Sequence, residues 1–184
     1  RYSTAVLNYN VELFDLAGLP YPNDDWTYEK QFFDAARKLT VDVDSDGTPE
    51  RWGVWPLRLH DFIWRAWGAE FLTPDMTASG FQADRAAAID SLQFLRDLYQ
   101  TYRVAVYAGW TSWKNSNVAM VVENPLLEHS VESVTWDIAN IPVGPTGQRI
   151  SRGAVAGWSI PVWSKNPDEA WKLLRELGSK DGQL

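Results

Sequence analysis

A mixed α/β arrangement, helices packed on a sheet of short strands, is the fold class this sequence predicts, and three observations predict it. Stretches with apolar residues at helical spacing alternate along the chain with short runs rich in β-formers. One of those runs, "NVAMVVEN", is apolar enough to be a buried strand. Glycine and proline punctuate the joins, and no internal repeat or low-complexity tract suggests a solenoid.

Residues 3–9 alternate weakly and read as a strand. Asn10 then caps a short helix over 11–17, and Gly18 ends it in the left-handed conformation that suits glycine. After the Pro-bearing loop "LPYPNDDW", Thr27 is a good N-cap for a helix over 28–39. There Phe32, Ala35, Ala36 and Leu39 share a face, and Glu29 complements the helix dipole. "RWGVWPL" is a short strand closed by Pro56. Leu59, Phe62, Ile63 and Trp67 mark a second helical stripe that stops at Gly68. "AEFLTPDMTASGF" reads as a hairpin or loop, and 83–102 is the longest helix, with Ile89, Leu92, Leu95, Leu98, Tyr99 and Tyr102 as its apolar stripe. "PLLEHSVES" starts a helix with Pro125 in its first turn, and "TWDIANIPVGP" is a strand cut off by Pro142. "GAVAGWSIPVWS" is a strand pair or crossing segment. "NPDEAWKLLRELGS" is a capped helix that ends at Gly178.

A net charge of −7 with scattered Lys and Arg argues against nucleic acid as a partner, because that affinity rests on neutralising phosphates. With no cysteine and only His60 and His129, disulfides, thiol catalysis and a His-rich zinc site are not expected; both histidines read as surface or capping groups. No apolar run approaches the roughly 20 residues of a membrane span. The chain opens at Arg1 without an initiator Met and stops at "SKDGQL" just after a helix, which reads as a piece of a longer polypeptide. Eleven tryptophans are the strongest bias; most are assigned to packing, because Trp is largely buried on average, and the rest are free to stack on sugar rings.

"DVDSDGTPERWG" has the spacing of a calcium loop. Asp42, Asp44 and Asp46 occupy its first, third and fifth positions, Gly47 makes the turn, Thr48 can offer a carbonyl and Glu50 can reach in. The twelfth position is Gly53 rather than a bidentate Glu, and a strand rather than a helix follows, which excludes a calcium sensor. Two readings remain: a structural Ca2+ that relieves carboxylate repulsion, or a solvated turn.

Several stretches in order resemble the bacterial extracellular solute-binding proteins, the sugar-binding family related to maltose-binding protein. They are "LNYNVELFDLAGLPYPNDDWTYEKQFFDAARKLTVDVDSDGTPERWGV", "WGAEF" with Ala69 at the family's second glycine, "NVAMVVENP", and "GWSIPVWSKNPDEAWKLLRELGSKDGQ". The resemblance implies a periplasmic-binding-protein-like fold in which two lobes close on a ligand and deliver it to the permease subunits of an ABC importer. The protein would be periplasmic or extracellular, with a membrane anchor only in sequence ahead of Arg1. It further implies that 1–8 is a hinge crossing strand, 9–150 the second lobe, and 151–184 a return crossing with one first-lobe helix, the rest of that lobe lying outside this chain.

Sugars are held by aromatic platforms and by charged or amide groups bonded to their hydroxyls. "RLHDFIWRAW" is dense in such groups, and the resemblance implies that it faces the cleft. Asp61 and Trp64 are the leading candidates, with Arg58 and His60 behind them; the alternative leaves Trp64 and Trp67 in the core and Asp61 as a helix cap. Glu123 and Asn124 in "VENPLLEH" either bond hydroxyls or cap a helix, and Leu126 stands where the family often has a stacking aromatic. Trp158 in "AVAGWS" either meets ligand or packs between lobes. Trp110 and Trp113 are weaker candidates, and Trp52, Trp55, Trp136 and Trp171 are assigned to the core. A non-catalytic binding protein is therefore expected. Its rivals are a glycoside hydrolase using Asp61 and Glu123, for which no supporting motif exists, and a stand-alone calcium-stabilised carbohydrate-binding module.

Overall fold

The computed structural model describes residues 2–77, 85–125, 134–155, 157–180 and 182. They fall into two compact units: Thr4–Gly153, and a smaller one made of Arg1–Ser3 with Ala154–Leu184. The expected strand over 3–9 is broken at Ala5 into β1 (Tyr2–Thr4) and β2 (Val6–Asn10).

In the larger unit, β2 is followed directly by α1 (Val11–Leu16). Asn10 closes the join as expected: its side-chain oxygen accepts the Leu13 N–H at 3.1 Å, and its amide donates to Ser116 Oγ at 3.1 Å. Gly18 takes the left-handed conformation (φ +62) that the helix end requires. The helix expected over 28–39 forms, but its first turn is π-helical (Tyr28–Phe32) before α2 (Phe33–Leu39). The Thr27 side chain does not cap it. The Gln31 amide oxygen instead reaches back to accept the Thr27 N–H at 3.1 Å. Phe32, Ala35, Ala36 and Leu39 are all buried, so the stripe behaves as read; complete burial of a ring such as Phe32 contributes roughly 1.5–3 kcal/mol.

Next come β3 (Trp52–Trp55), a 3₁₀ turn (Leu59–Asp61), and α3 (Ile63–Ala66). The single helix expected here is interrupted at Phe62, whose backbone (φ −146, ψ 0) lies outside the helical region. Asp61 therefore does not cap α3. The long helix is α4 (Arg85–Arg96), continued by a π-helical stretch over Asp97–Thr101. Its buried side follows the expected stripe at Leu95, Leu98 and Tyr99 but departs from it earlier, where Ala88 and Ser91 face inward and Ile89 and Leu92 are exposed. Small side chains at 88 and 91 give the helix close approach, and Phe94 meets Trp67 with ring centroids 4.8 Å apart.

A short helix α5 (Trp110–Lys114) leads into β4 (Val118–Glu123), every residue of which is buried, and β5 (Trp136–Ala139) follows. The helix expected in "PLLEHSVES", with Leu126 and His129, lies outside the described residues. The sheet order is β3-β4-β2-β5. β2 runs antiparallel to β4, with Leu7 opposite Val122, and antiparallel to β5, with Asn8 opposite Ile138; β3 runs parallel to β4, with Val54 opposite Met120. Met120 and Val122 join the main core with Leu7, Phe14 and Phe32, while Val121 joins a second cluster with Trp55, Trp113 and Val134. Trp113, a weaker ligand candidate from sequence, is thus wholly buried, and Trp52 and Trp136 pack against the same cluster as expected. Burial also pushes the Tyr28 hydroxyl far above its ordinary pKa, and burial with the adjacent Asp137 pushes Tyr9 up to about 12.

The smaller unit holds all but the last residue of β1 and all but the first of β6 (Gly153–Val155), strands that pair in a two-stranded sheet, and α6 (Pro167–Leu177) with proline in its first turn. Asn166 makes no side-chain cap bond, and α6 has no buried residue. Trp171, expected in the core, is 57% exposed, because nothing among the described residues covers that face.

Two glycines set the closest approaches in the larger unit. A Cβ on Gly53 would collide with the Ala36 carbonyl, and one on Gly144 with the Ala66 carbonyl, so α2 and α3 rest directly against backbone. Gly53→Ala is expected to lower unfolding free energy by about 1–3 kcal/mol or more, as overpacking does. Urea denaturation measures this, and an unchanged midpoint would contradict the packing described.

Candidate functional site

β4 ends at Glu123, and the chain leaves the sheet there. The Asn8 amide, buried within β2, fixes this exit by donating to the carbonyls of Val121 (3.3 Å), Glu123 (3.4 Å) and Asn124 (3.3 Å). The Glu123 side chain is only 7% exposed, so its charge needs compensation. Arg58 supplies it: Nε donates to Oε2 at 2.9 Å and to Oε1 at 3.3 Å. The Asn124 N–H adds a bond to Oε1 at 2.7 Å. Arg58 is itself located by its backbone N–H, which bonds the Val122 carbonyl at 2.8 Å, so the loop after β3 is tied to the strand it serves.

From Arg58 the charges continue outward. Asp61, in the 3₁₀ turn, has Oδ2 4.0 Å from Arg58 and 3.6 Å from Nε of Arg152, while its Oδ1 lies 3.5 Å from Nε2 of His60. The side chains of Arg58, Asp61 and Arg152 are each about a third exposed, which places this row between core and solvent. Chemically it is an alternation of acceptors and donors, Glu123, Arg58, Asp61 and Arg152, with the Asn124 amide beside it. Such a row suits a neutral polyhydroxylated ligand whose hydroxyls both donate and accept.

The structure therefore brings together Arg58, His60, Asp61, Glu123 and Asn124 from the sequence-based candidates. It adds Arg152, which sequence reading passed over although it immediately precedes the "GAVAGWS" segment, and Asn8, whose signal was an amide inside an apolar strand. Trp64 is half-buried against the main core, with its ring centroid 6.5 Å from that of Phe71. Trp67 is partly buried against the same core, with its ring near Tyr28 and Phe94. Trp158 belongs to the smaller unit and is 80% exposed in it.

The acidic loop is a separate feature. Ligand oxygens of Asp42, Asp44 and Glu50 lie within 4.8 Å of one another, whereas Asp46 is not part of that group. Backbone N–H groups hold the loop: Gly47 bonds Asp42 Oδ2 at 3.0 Å, Asp46 bonds Asp44 Oδ1 at 3.1 Å, Thr48 bonds Asp46 Oδ1 at 2.6 Å, and Val43 bonds Glu50 Oε2 at 2.6 Å. The remaining Asp42 oxygen is shielded from solvent and has no hydrogen-bond partner.

The family model for bacterial extracellular solute-binding proteins matches residues 1–184. The chain belongs to that family. It is 28% identical, over 97% of its own length, to proteins named as binding proteins in Brucella abortus and Brucella suis, and it spans 45% of theirs. Among solved structures it is similar to an ABC substrate-binding protein of Listeria monocytogenes in complex with cycloalternan (TM-score 0.79, 21% identity, 97% of this chain and 47% of that one). It is also similar to the maltose/maltodextrin-binding domain MalE of Bdellovibrio bacteriovorus bound to maltotriose (0.77, 22%, 97% and 48%) and to a Thermotoga lettingae solute-binding protein bound with α-D-tagatose (0.77, 24%, 98% and 49%). At these identities the likeness establishes a periplasmic-binding-protein-like fold. The solute-binding protein described here spans about half the length of its relatives.

Arg58 is the partner the buried Glu123 depends on. Arg58→Met is expected to destabilise by about 2 kcal/mol, at the low side for breaking a buried pair because Arg58 is 38% exposed. Adding Glu123→Gln should recover part of the loss, and chemical denaturation of both variants checks it; equal stability of Arg58→Met and the parent would remove the claim.

Proposed function

We propose that the chain is part of a sugar-binding component of an ABC importer, non-catalytic, with most of its second lobe in the larger unit. In this reading 9–150 form that lobe, 1–8 are a hinge crossing, and 151–184 return to a first lobe completed by sequence outside this chain. The row formed by Glu123, Arg58, Asp61 and Arg152 carries the proposal, because hydroxyl-bonding groups converge where β4 leaves the sheet. Arg58, His60, Asp61 and Asn124 are the ligand-contacting groups of the larger unit, with Trp64 at the edge and Glu123 as the buried anchor; Trp158, exposed in the smaller unit, is a separate ligand candidate. Exposed Val162, Trp163, Trp171 and Leu173 in the smaller unit are the surface a complete first lobe would cover. The partners are a small carbohydrate and permease subunits, and the location is periplasmic or extracellular.

A hydrolase has less support. Glu123 is buried and already accepts bonds from Arg58 and the Asn124 N–H, so it is poorly placed to protonate a leaving group or activate water.

The test is calorimetric titration of the complete binding protein with maltotriose, cycloalternan, D-tagatose and D-mannitol. At least one should bind, and Asp61→Asn should weaken it by about tenfold or more, the loss expected of a charged hydrogen bond. Turnover of an aryl glycoside would instead favour catalysis.

For the acidic loop we propose a structural Ca2+ held by Asp42, Asp44 and Glu50 with the Thr48 carbonyl, and with Asp46 shaping the turn. The shielded, unpartnered Asp42 oxygen supports this reading. At about 100 times its Kd, calcium should stabilise the fold by about 2.7 kcal/mol, reversed by EGTA and lost in Asp44→Asn. Identical melting curves with and without calcium would leave the solvated turn.

A further inference from the structure

We infer that Arg152 is a positioning residue for ligand recognition: it aims the Asp61 carboxylate and ties that group to the strand by which the chain leaves the larger unit. The inference rests on the sugar-binding reading and deepens it. Arg152 is the last residue but one of the unit, which ends at Gly153. Its backbone is fastened to the other crossing, since its carbonyl accepts the Ala5 N–H at 3.2 Å. The preceding Ser151 hydroxyl donates to the Ala5 carbonyl at 2.6 Å and lies 3.0 Å from Thr4 Oγ1. Thr4 is the first residue of the unit. Both passages of the chain out of this unit are thus stitched together at one point, and the side chain emerging there reaches Asp61.

The geometry suits positioning rather than competition. At 3.6 Å the Arg152–Asp61 contact is a charge pair longer than a tight hydrogen bond, and Arg58 stands 4.0 Å from the same oxygen. A carboxylate has about four lone-pair sites, so Asp61 is oriented between two guanidinium groups while keeping acceptor capacity for ligand hydroxyls. Removing Arg152 frees the carboxylate to rotate and uncouples it from the crossing strands. Two neighbouring groups acting on one ligand are non-additive, and that is the signature to look for.

The experiment is a double-mutant cycle on the complete binding protein, titrated with whichever of maltotriose, cycloalternan, D-tagatose and D-mannitol it binds. Arg152→Gln alone is expected to weaken binding about tenfold; in an Asp61→Asn background the same change should cost less than about threefold. Arg152→Lys keeps the positive charge and should restore most of the affinity. Melting temperatures of all variants separate folding defects from binding, and if Arg152→Gln does not fold, Arg152→Met carries the same cycle. An equal loss in both backgrounds would mean a general structural role, and a gain in affinity would mean that Arg152 competes with ligand; either overturns the inference. If Asp61→Asn leaves affinity untouched while the sugar still binds, the contact assignment fails instead, and that outcome is visible without any Arg152 variant.

Discussion

Glu123 is an ionisable side chain at the end of a strand that has no exposed residue, and the site is arranged around that constraint. β4 bonds to β2 on one edge and β3 on the other, and core clusters cover both of its faces. A charge carried this far inside is stable only with an opposite charge and further hydrogen bonds, because the interior solvates it poorly. The chain meets both needs locally. Arg58 is delivered by a loop bonded to β4 itself, and the next residue's own N–H completes the set. From this pair the alternation of charges runs outward to Asp61 and Arg152, where it meets solvent.

The interruption at Phe62 has a similar organising effect. An unbroken helix from Leu59 would have put Asp61 and Trp64 on one continuous element. With the backbone out of the helical region at 62, Leu59–Asp61 forms its own turn and presents Asp61 to Arg58, His60 and Arg152, while α3 starts afresh and commits Ile63 and Ala66 to the core. The tryptophans divide along the same line. Trp26, Trp55 and Trp113 are buried and Trp64 and Trp67 are half-buried against the core, whereas Trp158, Trp163 and Trp171 are exposed in the smaller unit. Among the described residues, the larger unit has buried core clusters, whereas the helix of the smaller unit buries none of its residues.

Membership of the solute-binding family, with a span of about half its relatives' length, gives this division a physical sense. A lobe has its own core and keeps its apolar surface covered, whereas a helix belonging to a lobe supplied largely by other sequence leaves its apolar face bare. The amphipathic α6 has no buried residue, which is what the lobe assignment proposed above expects of it.

The sequence by itself determined what depends on neighbours a few residues apart. The Asn10 cap, the left-handed Gly18, the buried stripe of Phe32, Ala35, Ala36 and Leu39, and the buried character of "NVAMVVEN" all follow from local spacing and backbone preference. The mixed α/β class and the ordered family motifs were legible for the same reason, as was the dense polar chemistry around Arg58 and Asp61. Only the tertiary structure decided which face of α4 turns inward, that the helix breaks at Phe62, that Trp113 is core and Trp171 is not, and that Asp46 stands apart from the other loop carboxylates. It alone joined Arg58 to Glu123 across 65 positions and brought Arg152 to Asp61, because such partnerships are set by sheet register and by where chain crossings meet, neither of which leaves a periodic trace in the sequence.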